Sequence, residues 1–319
     1  MRTPLTERFG LMVPVVGAPM AGAAGGRLAA AISASGALGM VGAGPAATPG
    51  WIAEHGGIAA ASGRAWGVGL LAWALEANPA QLDAVVELAP PLVSVSFGPY
   101  ERHVAALQQA GSRVATQVGT LAEALAAERA GVDLVVASGG EGGGHGRDEV
   151  ATLPLLQAVL DHVGVPVLAA GGIATARGLA AVLGAGAAGA WVGTAFLACD
   201  EATVSPAARD RIVAAGETDT AYGRVFDVGL RQAWPAEYGG RALRNRFFDR
   251  WAGREGELAG DDDAHAELLA ALERGDFDTG VIYAGQGVGL VARPRPAADV
   301  VAGLAGADEL LRRAAAPPS

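Results

Sequence analysis

The chain has 319 residues, enough for two ordinary domains or one large α/β barrel with an insertion; 51% hydrophobic and 18% charged residues describe a well-buried globular protein. A net charge of −10, with the basic residues scattered, argues against a nucleic-acid partner and offers little attraction to an anionic membrane. All 23 basic residues are Arg, so there is no lysine for a Schiff base and none to clamp phosphate in a P-loop.

Short β-type runs alternate with longer Ala-rich helical stretches. The expected strands span 13–18, 38–41, 66–71, 92–97, 113–117, 133–137, 166–170 and 189–192. Helical segments are expected at 79–88, 101–110, 121–130, 153–162 and 174–183. The strands are near-continuous apolar runs, as when both faces of a sheet are covered. Eight such strands alternating with helices imply a parallel sheet, and the fold expected is a (β/α)8 TIM barrel. The uncharged stretch 178–199 is long enough to span a membrane, but its five glycines divide it into a helix followed by a strand, so it reads as barrel.

Beyond the eighth strand the texture changes. From about 205 the chain becomes charged, notably over 241–254 and 260–265, and we expect a mainly helical insertion covering the active-site mouth at 205–289. Residues 1–204 and 290–319 then form the barrel, with 296–315 as its closing helix. Asp261-Asp262-Asp263 reads as a solvated helix N-terminus, where negative charge is favourable. The single cysteine, Cys199, precludes an intramolecular disulfide and suits a reducing compartment. The apolar N-terminal stretch is broken by Pro14, Pro19 and glycines, so no signal peptide is expected and cytoplasm is the expected location.

The most informative stretch is Ser138-Gly139-Gly140-Glu141-Gly142-Gly143-Gly144-His145-Gly146. It follows the sixth expected strand, at the face where TIM-barrel active sites are built. Its glycines let backbone amides approach a flat or anionic ligand, and His145 offers an imidazole suited to proton abstraction near neutral pH. The alternative is a flexible loop that happens to hold a histidine. Gly171-Gly172 and Gly193-Thr194 end the seventh and eighth expected strands, whose loops commonly bind phosphate in this fold, although glycines there are also ordinary turn residues.

Two other glycine patterns mislead. Gly184-Ala185-Gly186-Ala187-Ala188-Gly189 has dinucleotide-fingerprint spacing but runs from helix into strand, the reverse of what that motif needs. Gly42-Ala43-Gly44-Pro45-Ala46-Ala47 has the right order, but stands alone and carries a stiffening proline. His55, His103, His162 and His265 fall on expected helices or their ends and read as surface or structural. No two histidines have metal-ligand spacing, so no metal is expected.

Taken in order, Gly17-Ala18-Pro19-Met20-Ala21-Gly22, Glu141 to His145, Ala170-Gly171-Gly172-Ile173, Gly193-Thr194-Ala195-Phe196 and Gly285-Gln286-Gly287 resemble the nitronate monooxygenase family. They are also similar to FMN-dependent enoyl-ACP reductases. The resemblance covers almost the whole chain and implies FMN in the barrel mouth. It places backbone at Ala18, Pro19 and Met20 near the flavin ring and the phosphate at Gly171, Gly172, Gly193 and Thr194. It puts Gln117 on the ring or ribityl chain, Gly143 and Gly144 in the glycine loop, His145 as the catalytic histidine and Gln286 on the substrate side. Gly69 stands where many relatives carry Asn, and Trp191 where some carry Gln. Trp73, just past the third strand, is either a pocket wall or a packing residue.

The activity this implies is FMN-dependent oxidation of an alkyl nitronate with oxygen, giving a carbonyl compound and nitrite. The alternative is an NAD(P)H-dependent FMN reductase acting on an enoyl thioester or quinone. A third reading, a degenerate flavin barrel serving as a partner protein, rests only on Gly69 and Trp191. Small-molecule substrates are expected in the first two cases, and the oligomeric state stays open.

Overall fold

A computed structural model describes residues 1–315; the last four positions of the expected 290–319 segment lie outside the described residues. Its centre is a closed parallel barrel of β1 (Val15–Gly17), β2 (Leu38–Gly42), β3 (Trp66–Leu71), β4 (Leu92–Ser96), β5 (Arg113–Val118), β6 (Leu134–Ser138), β8 (Val167–Ala170) and β9 (Gly189–Val192). β9 closes on β1, with Gly17 opposite Val192. The eight expected strands are these eight, each within a few residues. An unexpected β7 (Gly144–Gly146) falls inside the glycine loop, so the seventh and eighth expected strands are β8 and β9.

The apolar runs become strands because both their faces are covered. Inward, Val16, Leu38, Met40, Leu92, Leu134, Val136, Leu168 and Trp191 fill the barrel, and Leu5 joins them from below. Leu5 lies on the helix Pro4–Phe9, which begins with a capping box at Thr3 and stops the N-terminal end of the barrel. Outward, Val41, Val68, Val93, Val95, Val135 and Val167 pack on the ring of helices. Threonines start several of those helices: Thr120 accepts from the Glu123 N–H and Thr175 from the Gly178 N–H. The stretch 184–189 connects a helix end to β9, as its sequence order required. The expected closing helix is two, Ala297–Ala305 and Ala307–Ala315.

After β9 the chain leaves the barrel as helices Pro206–Ala214, Val225–Gly229, Arg246–Trp251, Glu255–Leu258 and Asp262–Arg274. Asp261 caps the last of these by accepting from the Ala264 N–H, with Asp262 and Asp263 exposed in its first turn. Helices predominate, but the segment also holds β10 (Thr220–Gly223) and β11 (Gly239–Leu243). β11 pairs antiparallel with both β10 and β7, placing Gly240 opposite His145. Val225, Phe226, Phe247, Phe248, Trp251 and Leu268 give this region its own core. A second cluster, including Leu197, Ile212, Leu243, Ile282 and Val288, seams it to the barrel. Among the described residues no helix is long and apolar enough to cross a membrane.

Candidate active site

The glycine loop after β6 is fixed rather than slack. The Glu141 carboxylate accepts from the Thr152 N–H at 2.9 Å and its hydroxyl at 2.7 Å, and the Glu141 carbonyl accepts from the Gln286 N–H at 3.0 Å. Arg241, 7% exposed on β11, donates through Nε to the Gly140 carbonyl and through its terminal nitrogen to Asp148, each at 2.6 Å. The loop is therefore held from both sides by hydrogen bonds.

The same pairing of β7 with β11 presents His145. Its Nε2 stands 2.7 Å from Asp227 Oδ1, and Asp227 is 1% exposed. The Tyr283 hydroxyl donates to that same oxygen at 3.1 Å, while Asp227 Oδ2 is buried with no partner among the described residues. Burial, then the Asp227 charge and the hydrogen bond to it, push the Tyr283 phenol well above its usual range, so it stays a donor. One face of the imidazole stacks on Trp234, with ring centroids 3.5 Å apart and planes 6° from parallel. Trp73 and Phe97 pack on Trp234 at 5.2 and 5.5 Å, and Tyr238 on Phe97 at 5.3 Å. Phe97 takes a left-handed backbone (φ 66°) to reach that position.

A second group of loops meets beside this one. Gly171 and Gly172 follow β8 with φ of 111° and 67°, a turn that other residues reach only with strain. A Cβ on Gly171 would overlap Thr152 Oγ1, and one on Gly143 would overlap the backbone of Gly285. The Thr194 hydroxyl accepts from the Gly285 N–H at 3.0 Å. The loops after β6, β8 and β9 and the turn Gln286–Leu290 are thus one assembly. Within it the N–H groups of Gly172, Ile173, Ala174, Gly193 and Thr194 donate to no other described residue. Unpaired amides on two neighbouring loops suit an anionic group.

The remaining expected residues lie at the same end. Ala18, Pro19 and Met20 form a half-buried turn after β1, anchored by the Ala18 N–H on the Val192 carbonyl at 2.8 Å. Gly69 lies directly against the Pro19 ring, and a Cβ there would overlap it. Gln117, half-buried on β5, donates its backbone N–H to Ser96 Oγ at 3.0 Å, while its side-chain amide bonds to no described residue. The Gln286 side chain is exposed. Trp73 belongs to the aromatic wall, and its indole N–H is buried without an acceptor among the described residues. Trp191 is 4% exposed inside the barrel, a packing residue.

Of the four histidines read as surface or structural, His55 accepts from the Gly26 N–H, and His162 and His265 each have Nδ1 2.8 Å from a backbone carbonyl, of Ala158 and Gly229. His103 lies beside Arg102. A cavity of about 260 Å³ opens at the opposite end of the barrel, near Leu11, Met12, Ser33 and Arg64, far from His145 in the topology. Sequence reasoning did not find Asp227, Tyr283, Trp234, Phe97, Tyr238 or Arg241. The one available signal was Asp227 itself, a lone acid within the apolar run Val225-Phe226-Asp227-Val228.

A barrel with its glycine loops, free amides and a histidine gathered at the C-terminal strand ends is the arrangement of a TIM-barrel enzyme. Residues 67–306 match the family described as nitronate monooxygenase, and the chain belongs to that family. Nitroalkane oxidase from Streptomyces ansochromogenes superposes with a TM-score of 0.83 at 31% identity, covering 98% of this chain and 99% of that one. FabK from Thermotoga maritima superposes at 0.86 and 30% identity, covering 98% of each chain. A Rhodococcus jostii (strain RHA1) protein is 37% identical over 230 residues; it is named (3aS,4S,5R,7aS)-5-hydroxy-7a-methyl-1-oxo-octahydro-1H-indene-4-carboxyl-CoA dehydrogenase. That match spans 71% of this chain but 64% of the dehydrogenase, less than two thirds of its length.

Proposed function

We propose that the protein is an FMN-dependent enzyme that oxidises alkyl nitronates with oxygen to a carbonyl compound and nitrite, with His145 as its catalytic residue. The carrying observation is the imidazole held on a buried carboxylate beside a cradle of unpaired amides. Family membership and the likeness to a nitroalkane oxidase support the substrate class.

The cradle fits FMN: Gly171, Gly172, Gly193 and Thr194 would hold its phosphate through N–H groups, with Ala18, Pro19, Met20, Gly69, Gln117, Gly143 and Gly144 around the rest. Bound there, FMN would supply the electron acceptor and the reaction with oxygen. His145 takes the proton from the α-carbon of a neutral nitroalkane, or as imidazolium donates to the oxygens of a nitronate. Asp227 balances the charge that His145 gains. Trp73, Trp234, Phe97 and Tyr238 form an apolar wall on the substrate side, with Gln286 at its rim. We treat 205–289 as the unit that covers this mouth, and a reducing, cytoplasmic setting suits the single buried thiol, Cys199.

The test is nitrite release from a small alkyl nitronate by the FMN-loaded protein. His145→Ala is expected to lose at least about 100-fold in kcat while retaining FMN; full turnover by that variant would refute the catalytic role.

A second reading is favoured by the dehydrogenase and FabK likenesses. A carbon next to a thioester carbonyl is acidified like one next to a nitro group, so the same imidazole would serve an enoyl thioester reductase drawing on NAD(P)H. Anaerobic bleaching of the holoprotein by NADH, and none by nitronate, would favour this alternative.

A further inference from the structure

We infer that Asp227 and Tyr283 are positioning residues that hold His145 as its Nε2–H tautomer, leaving Nδ1 to exchange the proton with substrate. This rests on the reading of His145 as the catalytic residue.

The contacts leave one consistent arrangement. A carboxylate oxygen accepts, so across the 2.7 Å contact Nε2 is the donor and Asp227 Oδ1 the acceptor. The Tyr283 hydroxyl supplies the second donor to that oxygen at 3.1 Å. No neighbouring cation bonds to it: Arg241 is committed to Gly140, Asp148 and Thr220, Arg147 to Glu123 and Glu149, and Arg224 donates to the Trp234 carbonyl while its Nε has no partner among the described residues. Among the described residues Asp227 Oδ1 therefore has only His145 and Tyr283 as hydrogen-bond partners, and Oδ2 has none. A carboxylate 1% exposed, with so few donors, is stabilised chiefly by those two groups.

The ring is held in two further ways. Trp234 covers one face in a parallel stack, and the ladder to β11 fixes the backbone with Gly240 opposite. A side chain on Gly240 would collide with Tyr283 and crowd His145 Nε2, so the ladder also sets the spacing between histidine and tyrosine. Nε2 is spent on Asp227, and Nδ1 makes no hydrogen bond among the described residues. An imidazole fixed at one nitrogen and free at the other is prepared for proton transfer at a single atom.

Ring-nitrogen NMR of protein labelled with ¹⁵N-histidine reads the tautomer directly, with His145→Gln assigning the resonance among five histidines. The wild type is expected to show protonated Nε2 and unprotonated Nδ1 when His145 is neutral. Asp227→Asn presents an amide that donates to Nε2, and is expected to switch the ring to Nδ1–H and lower kcat by about 10²–10⁴ with little change in KM. Tyr283→Phe should keep the wild-type tautomer and lose less, roughly 10-fold or under. An Nδ1–H wild-type ring overturns the inference even if Asp227→Asn fails to fold. So does an Asp227→Asn protein with wild-type tautomer and turnover. If instead His145→Ala keeps full activity, the catalytic reading falls while the tautomer measurement still stands on its own.

Discussion

Gly69 shows how much one hydrogen atom decides at the barrel mouth. It lies within β3 where Pro19 crosses, and a Cβ there would overlap the pyrrolidine ring. A ring cannot rotate aside as a long side chain would, so the turn Ala18-Pro19-Met20 must move. Gly69→Ala is expected to cost about 1–3 kcal/mol, which lowers Tm by several degrees, and to weaken FMN binding. Calorimetry and a flavin titration check both; unchanged values would mean that the turn has slack. Gly69 is thus matched to its neighbour Pro19. Other single residues were legible for similar local reasons: Gly171 and Gly172 because the strand must turn there, His145 because it stands alone in a glycine loop. Asp227 was not, because its partner lies 82 residues away and no periodicity links them.

At the scale of elements, Asp133 joins three of them. It directly precedes β6, and its carboxylate accepts from Gln108 on the helix Glu101–Gln109 at 2.9 Å, from Arg113 at 2.9 Å and from the Val114 N–H of β5 at 3.0 Å. Burial pushes this carboxyl up, but the bonds from Gln108, Val114 and Arg113 outweigh it and hold it below its ordinary value. A group depressed in the folded state contributes stability that is present above its unfolded pKa and is lost as pH falls through the folded value. Asp133→Asn is therefore expected to cost roughly 1–2 kcal/mol near neutrality. Its penalty should shrink as pH falls from about 4, where the unfolded carboxyl protonates, through the lower folded value, below which the wild type is itself protonated. Denaturant melts across pH test this, and a penalty independent of pH would sink it. The barrel strands were legible because each is a continuous apolar run. β7 was not: Gly144-His145-Gly146 has no strand propensity of its own, and becomes extended only because β11 pairs with it.

For the molecule as a whole, the alternation of eight apolar runs with helices made the barrel readable, whereas the pose of 205–289 depended on contacts between distant segments. Those contacts matter because they complete the site. β11 holds the histidine loop, Asp227 and Tyr283 reach His145, and Gly285 bonds to Thr194. The N–H groups of Gly172, Ile173, Ala174, Gly193 and Thr194 lack acceptors among the described residues, so an anionic cofactor bound there would add stability to the loops that carry them. At 100-fold excess over its Kd such a ligand stabilises by about 2.7 kcal/mol, which for a chain of 319 residues is a Tm shift of roughly 4 °C. Removing FMN is therefore expected to lower Tm by that amount. Hydrogen exchange should accelerate in 139–146, 171–175 and 193–196, while the buried strands β2 to β5 stay protected. Equal melting with and without FMN, or exchange that rises evenly around the barrel, would place the cofactor elsewhere.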